Sequence, residues 1–312
     1  MKKRILIRLA QMLIILAGIS FLTFLLTYLA PGDPASAMYD SMGIRPSAEM
    51  LERTREEMGL NKSFLQQYMD WIIGVFHGDL GVSFSKGASV LSLLGERLPA
   101  TMKLAVFSFV LMLIISVPLG IISAIQQNKI ADYIIRFFSF LGISLPGFLI
   151  GLLLMYFFSL KLGLIKIAGN SDGIGQLLLP GITLAIAMAS KFSRQVRTAI
   201  LEELDQDYII GAKARGMSRG EILLWQVLPN AMLPLLTMLG VSFGSLLGGT
   251  AVVEIVFTYP GIGILATTAV KARDYPLIQG FVLWIAVIYM AVNLLVDISY
   301  YLVDPRIRKG SV

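Results

Sequence analysis

The sequence predicts an all-α, polytopic membrane protein with six transmembrane helices and a helical extracellular insertion between the first and the second. Of its 312 residues, 56% are hydrophobic and only 15% are charged, and the mean hydropathy is +0.77. A chain of this composition has too little polar surface to cover a water-soluble core. Six stretches without charged residues are also close to the roughly 20 residues that a helix needs to cross about 30 Å of hydrocarbon.

These six stretches are the predicted spans. The fourth is the shortest and carries Pro180 and Gly181, and we expect Pro118 and Pro146 to kink the second and third spans, because proline removes a helical hydrogen bond. The spans cover residues 9–32, 104–128, 137–160, 173–190, 222–253 and 275–296.

The distribution of lysine and arginine predicts the orientation. Basic residues cluster before the first span, between the second and third, at 191–221 and at 306–309, whereas few lie in the two short loops on the other side. Positive residues near span ends resist translocation, so both termini are placed in the cytoplasm. This rule also explains the net charge of +6, and a role in nucleic-acid binding is not needed to account for it.

The longest break in the rhythm of spans is the insertion at 31–99, predicted to be extracellular. Ser47 can cap a helix, and the apolar residues that follow recur at helical spacing. The turn 59–61 is expected to divide this region into two helices. The insertion fits either a lid that packs on the spans or a platform for an extracellular partner.

The cytoplasmic segment 191–229 is charged and helical. Gly211 and Gly216 bracket the run 212–215, in which small residues alternate with basic ones, and a capping box that starts at Ser218 predicts a helix leading into the fifth span. One interpretation is an amphipathic segment resting on the lipid surface. The other is a docking surface, where small residues allow close approach and basic residues supply charge at the rim.

Within the fifth span, Gly240, Gly244 and Gly248 recur at the four-residue spacing that lets membrane helices approach closely. One interpretation is simple packing within the chain. The other is a functional surface, either the wall of a translocation pathway or an interface with a partner. Glu254, near the outer end of this span, would line the pathway or pair with a basic residue of the next loop, since an isolated charge in a membrane is costly.

Several classes of chemistry are excluded by composition. The chain has no cysteine, which removes disulfides, thiolate metal sites and thiol nucleophiles. His77 is the single histidine, so neither an intramembrane hydrolase nor a pathway for free nickel has the side chains it would need. No phosphate-binding loop of the Gly-x-x-x-x-Gly-Lys-Ser/Thr type occurs, so the chain is not expected to hydrolyse ATP.

A series of short motifs, in this order, resembles the permease subunits of ABC importers for dipeptides, oligopeptides and nickel. The resemblance covers nearly the whole chain, and the length of the insertion suggests the first of the two permeases that such systems pair. The motifs are Pro-Gly-Asp-Pro at 31–34, Gly-Asp-Leu-Gly at 78–81, Leu-Pro-Ala-Thr at 98–101, Leu-Pro-Asn-Ala at 228–231, Pro-Gly-Ile-Gly at 260–263, Arg-Asp-Tyr-Pro at 273–276 and Asp-Pro-Arg-Ile-Arg at 304–308.

Segment 207–229 resembles the cytoplasmic "EAA" loop of these permeases. Gly216 matches the glycine of that loop, whereas Ile210 and Gly211 replace its first two letters and Gln226 replaces a usual isoleucine. The resemblance implies that the residues contacting an ATPase are Asp207, Tyr208, Ala212, Lys213, Ala214, Arg215, Gly216, Met217 and Ser218.

The resemblance implies one ABC importer transmembrane domain over 1–312, with an extracellular insertion at 31–99 and an ATPase-coupling loop at 191–229. It further implies a second homologous permease, two cytoplasmic ATPases that bind the ATP, and an extracellular substrate-binding protein. The chain itself would hold no cofactor, metal or catalytic residue. It would lie in the bacterial inner membrane and import peptides or nickel, the latter as a chelate.

The alternative is a self-contained secondary carrier or channel. Such a protein would need intramembrane charges or half-helix ion sites of its own. It would have no ATPase to contact, so substitution of Gly216 should leave its transport intact.

Overall fold

The computed structural model describes residues 2–165 and 174–303. The tail motif at 304–308 and the charged tail around it lie outside this part of the chain, as does residue 173, where the fourth predicted span begins. The helices are α1 (Lys2–Leu29), α2 (Pro34–Ser41), α3 (Ala48–Glu57), α4 (Phe64–Phe76), α5 (Val90–Ile125), α6 (Ile130–Ser144), α7 (Gly147–Leu154), α8 (Ile174–Leu204), α9 (Asp207–Ala214), α10 (Arg219–Ile222), α11 (Leu228–Phe257), α12 (Ile262–Lys271) and α13 (Tyr275–Val303).

Five stretches of helix are long and apolar enough to cross a membrane, and they account for all the predicted spans except the third. They lie in α1, α5, α8, α10–α11 and α13. Several run past the predicted limits. Helix α8 continues to Leu204, and α10 joins α11 through a π-helical turn at Leu223–Val227. The predicted limits are short because they follow the charged residues, which end an apolar stretch without ending a helix.

The third predicted span, expected to kink at Pro146, is broken there into two helices. It consists of α6 and α7, which bend by 103° at the Leu145–Pro146 break and count as a sixth span only when taken together. Leu145 is extended (φ −88°, ψ 131°), the conformation that a following proline favours, so Pro146 ends α6 rather than kinking it. By contrast, α5 and α8 continue without a break through Pro118 and Pro180.

The chain folds into two compact units. The first contains the residues up to Thr101 together with Pro260–Ala291, and the second contains Met102–Tyr259 together with the chain from Val292 onward. Each unit therefore combines segments that are distant in sequence.

In the first unit, the insertion packs on the end of α1 through an aromatic cluster. Phe24 meets the rings of Phe64, Tyr68 and Trp71 of α4 at centroid distances of 5.4–5.9 Å. Ser47 caps α3 as predicted, and α3 ends before the 59–61 turn, where Gly59 has a φ of +70°. The predicted division into two helices is confirmed, and the packing on α1 is the contact that a lid would make.

Four of the short motifs recognised in the sequence contact one another in pairs in this unit. Ile262 donates its amide hydrogen to the Thr101 hydroxyl at 2.9 Å. Gly32, with a φ of +107°, lies so close to Arg273 that an added Cβ would fall 1.0 Å from Nη1 of its guanidinium. The positive φ explains a glycine there, and a side chain at position 32 would also push the flexible end of Arg273 aside.

Asp274 joins the loop after α4 to the start of α13. Its carboxylate is fully buried and accepts hydrogen bonds from the Ser83 hydroxyl at 2.5 Å and from the amide and hydroxyl of Ser85 at 2.9 and 2.7 Å. Several donors on one loop satisfy the charge without a basic partner, so this contact fixes the loop against the helix.

In the second unit, a buried ion pair holds α6 to α8. Asp132, which is fully buried, accepts from Nε of Arg197 at 2.9 Å and from Nη2 at 2.8 Å. The Ser123 hydroxyl and the Asn128 amide complete its shell at 2.5 and 3.0 Å. A buried carboxylate needs partners of this kind, and this one fixes the start of α6 against the middle of α8.

Candidate functional site: the segment between α8 and α11

Helix α9 contains most of the predicted coupling residues and has one buried face. Ile209 and Ala212 are fully buried in an apolar cluster that includes Val196 and Ile200 of α8 and Ile222 of α10. The three-residue spacing of Ile209 and Ala212 places them on one side of the helix. The other side is therefore left for solvent or for a partner.

The exposed side of α9 carries the predicted contact residues. Ile210 is 66% exposed, and Lys213, Ala214 and Arg215 are also exposed. Ile210 thus adds an exposed apolar side chain to a charged segment. The side combines an apolar residue, a small residue and two cations.

Gly216 ends α9 in a closed turn. The Gly216 amide donates to the Lys213 carbonyl at 3.0 Å, and the Met217 amide donates to the Ala212 carbonyl at 3.3 Å. This pair of bonds is the Schellman motif, which needs a left-handed residue at the position of Gly216, whose φ is +81°. Met217 packs against the same cluster as Ala212 and so fixes the direction in which the chain leaves the helix.

The next helix begins at the predicted capping box. The Ser218 hydroxyl accepts the Glu221 amide at 3.3 Å, and the Glu221 carboxylate accepts the Ser218 amide at 2.7 Å. Helix, glycine turn and helix are thus confirmed in the predicted order, although α10 is only four residues long before the π-helical turn.

A chain of hydrogen bonds links α9 to both neighbouring long helices. The Tyr208 hydroxyl donates to the Glu203 carboxylate of α8 at 2.5 Å and accepts from the Asn230 side chain of α11 at 3.3 Å. Asn230 also donates to the Gln226 carbonyl at 2.9 Å. Burial raises the pKa of Tyr208, and the neighbouring Glu203 carboxylate raises it further, so the phenol stays protonated and keeps donating.

The structure thus brings all nine predicted coupling residues into one short segment. Asp207 and Tyr208 open α9, Ala212 faces its buried side, and the remaining six form the exposed end, the turn and the start of α10. Sequence reasoning treated Glu203 and Asn230 as parts of patterns and missed their bonds to Tyr208. The available signal was the acid Glu203, five residues before Tyr208; nothing in the sequence indicates the pairing of Tyr208 with Asn230, 22 residues later.

The small residues of the fifth span divide into two kinds. Gly240 faces the end of α13, where an added Cβ would lie 2.9 Å from Val296. Gly248 is exposed, and no atom lies within 4 Å of the place where a Cβ would be. Gly244 is half-buried, and Glu254 is fully buried. Gly240 therefore serves packing within the chain, whereas Gly248 is open to another protein or to lipid.

In the part of the chain that the structure describes, no group of three or more histidine, cysteine, aspartate or glutamate side chains is arranged to hold a metal ion. What this segment can offer chemically is a surface: a rigid turn, an exposed isoleucine and two cations, all connected to two long helices.

Comparison with known proteins places this chain in a family. Residues 116–309 match the family model described as "Binding-protein-dependent transport system inner membrane component". Residues 1–105 match the model for the N-terminal part of membrane components of the same systems. Together the two models cover nearly all of the sequence.

Similar curated proteins include a probable D,D-dipeptide transport system permease, DdpB, of Escherichia coli K12, which is 36% identical over 96% of this chain and 95% of its own length. The nickel import system permease NikB of Staphylococcus aureus RF122/ET3-1 is 38% identical over 98% of this chain and 92% of its own. Among solved structures, an inward-facing MetNI methionine ABC transporter matches 68% of this chain and 96% of its own chain with a TM-score of 0.55 at 18% identity, which supports the fold alone.

Proposed function

The chain belongs to the family of binding-protein-dependent transport system inner membrane components and is a non-catalytic, multi-pass permease of an ABC importer, and on this premise we propose that α9 is the element through which an ATPase drives it. Family membership decides against a self-contained carrier or channel. The observation that carries the proposal is the exposed side of α9, held on a rigid turn between two membrane helices.

The proposed partner surface is a groove on a cytoplasmic ATPase. Ile210 would enter the groove, Ala214 would allow close approach, and Lys213 and Arg215 would meet acidic residues at its rim. The opposite side of α9 is buried against α8 and α10. A force applied to the exposed side would therefore be transmitted through packed side chains.

Tyr208 makes this transmission two-sided. Because its hydroxyl bonds both to Glu203 of α8 and to Asn230 of α11, a displacement of α9 moves the ends of both helices. In the proposed cycle, closure of the ATPases displaces α9, and the permease changes from inward-facing to outward-facing.

The proposed assembly contains a second permease, two ATPases and a substrate-binding protein on the outside. The insertion at 31–99 would face that binding protein, and both termini would lie in the cytoplasm. The excess of basic residues on the α9 side supports this orientation. A membrane-impermeant maleimide should label a cysteine at Glu49 of α3, but not one at Lys213, in intact spheroplasts.

The absence of cysteine from the sequence allows a direct test of the coupling proposal. Arg215→Cys is co-expressed with single-cysteine variants along the groove of the ATPase, and crosslinking is measured with and without ATP. The matched control is Arg219→Cys, an exposed arginine at the start of α10. We expect a crosslink from position 215 whose yield changes with ATP, and a much weaker one from position 219.

If position 215 gives no crosslink to any groove position while the assembled complex is recovered intact, α9 is not the contact. If positions 215 and 219 crosslink equally with and without ATP, the contact is nonspecific, and the proposal fails in that case also.

For the cargo, we propose small peptides or nickel held by an organic chelator. Relatives named for dipeptide and for nickel transport are equally similar to this chain, at 36% and 38% identity. The sequence contains one histidine and no cysteine, so the permease has few imidazole and no thiolate ligands for bare nickel.

Uptake of radioactive nickel into cells carrying the complete system would test this proposal. We expect ATP-dependent uptake of nickel in the presence of excess histidine, or uptake of a labelled dipeptide, and no uptake of nickel in a buffer without chelator. Equal nickel uptake with and without histidine would contradict it.

A further inference from the structure

Between α6 and α8, within the second unit, lies a cavity of about 590 Å³ with three guanidinium groups in its wall. Arg136 comes from α6, and Arg194 and Arg197 come from successive turns of α8. No carboxylate is part of this wall. A concave basic site on a membrane helix pair needs an account that docking to an ATPase does not provide, because the site lies off α9.

The three arginines do not have the same role. Arg197 is mostly buried, and its Nε and Nη2 are committed to Asp132 behind the cavity. Arg136 and Arg194 are exposed, and neither forms an ion pair with a carboxylate within residues 2–165 and 174–303. Within the described residues only Arg197 of the three has a carboxylate partner, so the cavity is left with excess positive charge that favours an anion.

The cavity is continuous with an exposed apolar surface. Phe137 and Phe140 line it and are 62% and 65% exposed, although they belong to a helix of the membrane-spanning pair. In a membrane, acyl chains are a cover that suits apolar side chains this exposed. Arg136 lies about 6 Å along the helix from Phe140, one turn closer to the start of α6, since each residue rises about 1.5 Å.

An aromatic ring holds the cation in place at the edge of the cavity. The guanidinium of Arg136 lies over the ring of Tyr133, 5.7 Å from its centroid. This contact needs no carboxylate and leaves the donors of Arg136 available to an anion. A tyrosine close to the start of a span, as Tyr133 is in α6, is also typical of the membrane–water interface.

We propose that this cavity binds an anionic phospholipid. The phosphate and headgroup are held by Arg136 and Arg194, and one acyl chain lies over Phe137 and Phe140. Charge complementarity selects an anion, and the adjoining exposed phenylalanines select a lipid over a free phosphate or nucleotide, which would leave them uncovered. Because Asp132 and Arg197 join α6 to α8 behind the cavity, the lipid would contact both helices at the membrane face nearest α9. The lipid would bind here whatever the cargo is and whether or not α9 contacts an ATPase.

The test uses the purified full-length chain in mixed micelles. Its melting temperature is followed while phosphatidylglycerol is titrated against phosphatidylcholine, with inorganic phosphate and the chain-free headgroup glycerophosphoglycerol as soluble probes. The variant Arg136→Gln/Arg194→Gln removes both available guanidiniums and leaves the Asp132–Arg197 pair intact. Its control, Lys129→Gln/Lys191→Gln, removes the same charge from two exposed residues outside the cavity.

We expect phosphatidylglycerol to raise the melting temperature of the unsubstituted chain and the control in a saturable way. The arginine variant should need about 30-fold more of this lipid for half of the effect. A third variant, Phe140→Ser, should weaken the effect of the lipid without any change in the response to soluble phosphate.

Three results would overturn the proposal. One is an equal response of the arginine variant and its control, which would show a general effect of membrane charge. Another is an equal stabilisation by inorganic phosphate or glycerophosphoglycerol, which would show a soluble-anion site. The third is an equal effect of phosphatidylcholine.

Discussion

Asp33 shows how one carboxylate can organise the insertion. It accepts the amide and hydroxyl of Ser36 at 3.0 and 2.7 Å, which caps α2, and it accepts from Arg55 of α3 at 3.1 Å. Burial raises the pKa of Asp33, but the bonds from Ser36 and Arg55 outweigh this effect and hold the pKa below its ordinary value. A helix start and a contact between two helices therefore depend on the ionised form.

This dependence predicts a pH effect on stability. A carboxylate with a lowered folded pKa contributes stability that is fully present above its unfolded value, near pH 4, and is lost as the pH falls through the folded value. We expect Asp33→Asn to lower the melting temperature at pH 7 and to flatten its decline between pH 5 and pH 3. Asp40→Asn, at an exposed acid of α2, is the control. A decline equally steep in Asp33→Asn would show that other groups cause it.

At the scale of single elements, the turn at Gly216 is the feature on which the proposed coupling depends. A residue with a side chain costs about 1–2 kcal/mol in the left-handed conformation. We expect Gly216→Ala to fold and insert but to lose most ATP-driven uptake, because α9 and α10 would no longer meet at the same angle. Gly220→Ala, in α10 with no atom within 4 Å of the added methyl, should transport normally. Equal uptake by both variants would remove the turn from the mechanism.

The ion pair between α6 and α8 makes a second prediction at this scale. Asp132→Asn leaves the Arg197 charge without its partner and should destabilise the chain by about 3–5 kcal/mol. Adding Arg197→Gln should restore part of that loss, because the uncompensated charge is removed. Glu57→Gln breaks the exposed Arg53–Glu57 pair and should cost less than about 1 kcal/mol. Thermal unfolding in detergent measures these three variants and Arg197→Gln alone, and additive single effects at positions 132 and 197 would contradict the coupling.

For the whole molecule, substitutions at the two kinds of glycine in α11 should affect different properties, the stability of the chain at Gly240 and its assembly with a partner at Gly248. Gly240→Leu would clash with Val296 and should lower the stability of the isolated chain. Gly248→Leu adds a side chain in open space and should leave that stability unchanged while reducing co-purification of the second permease. If Gly248→Leu assembles normally, that part of α11 faces lipid.

Much of the fold was predictable because hydropathy and charge report directly on span length. The Schellman turn at Gly216 and the caps at Ser47 and Ser218 were predictable for another reason, since they depend on residues close in sequence. A kink at Pro146 was also predictable from proline chemistry, but the size of the bend, 103°, was not, because a charge-free stretch gives the length of a span without its direction.

Contacts between distant residues were not predictable either. Arg273 is found beside Gly32, and Arg197 beside Asp132, yet neither hydropathy nor turn chemistry states which helix pairs with which. In the proposed coupling segment, the exposed residues Lys213, Ala214 and Arg215 were predicted, whereas the exposed Ile210 was not, and the Tyr208–Asn230 bond required knowing that α9 lies against α11.

The composition of the first unit has a consequence for how the chain is made. Its core combines residues up to Thr101 with Pro260–Ala291, so the ribosome must add about 160 residues before the missing part exists. At about 5–20 residues per second, this takes roughly 10–30 s. During this time Ser83 and Ser85 have no Asp274 to bind. A message truncated before Asp274 therefore yields a protein that contains residues 1–101 intact but cannot complete the first unit. Quality-control proteases would act on it as on an incompletely folded domain.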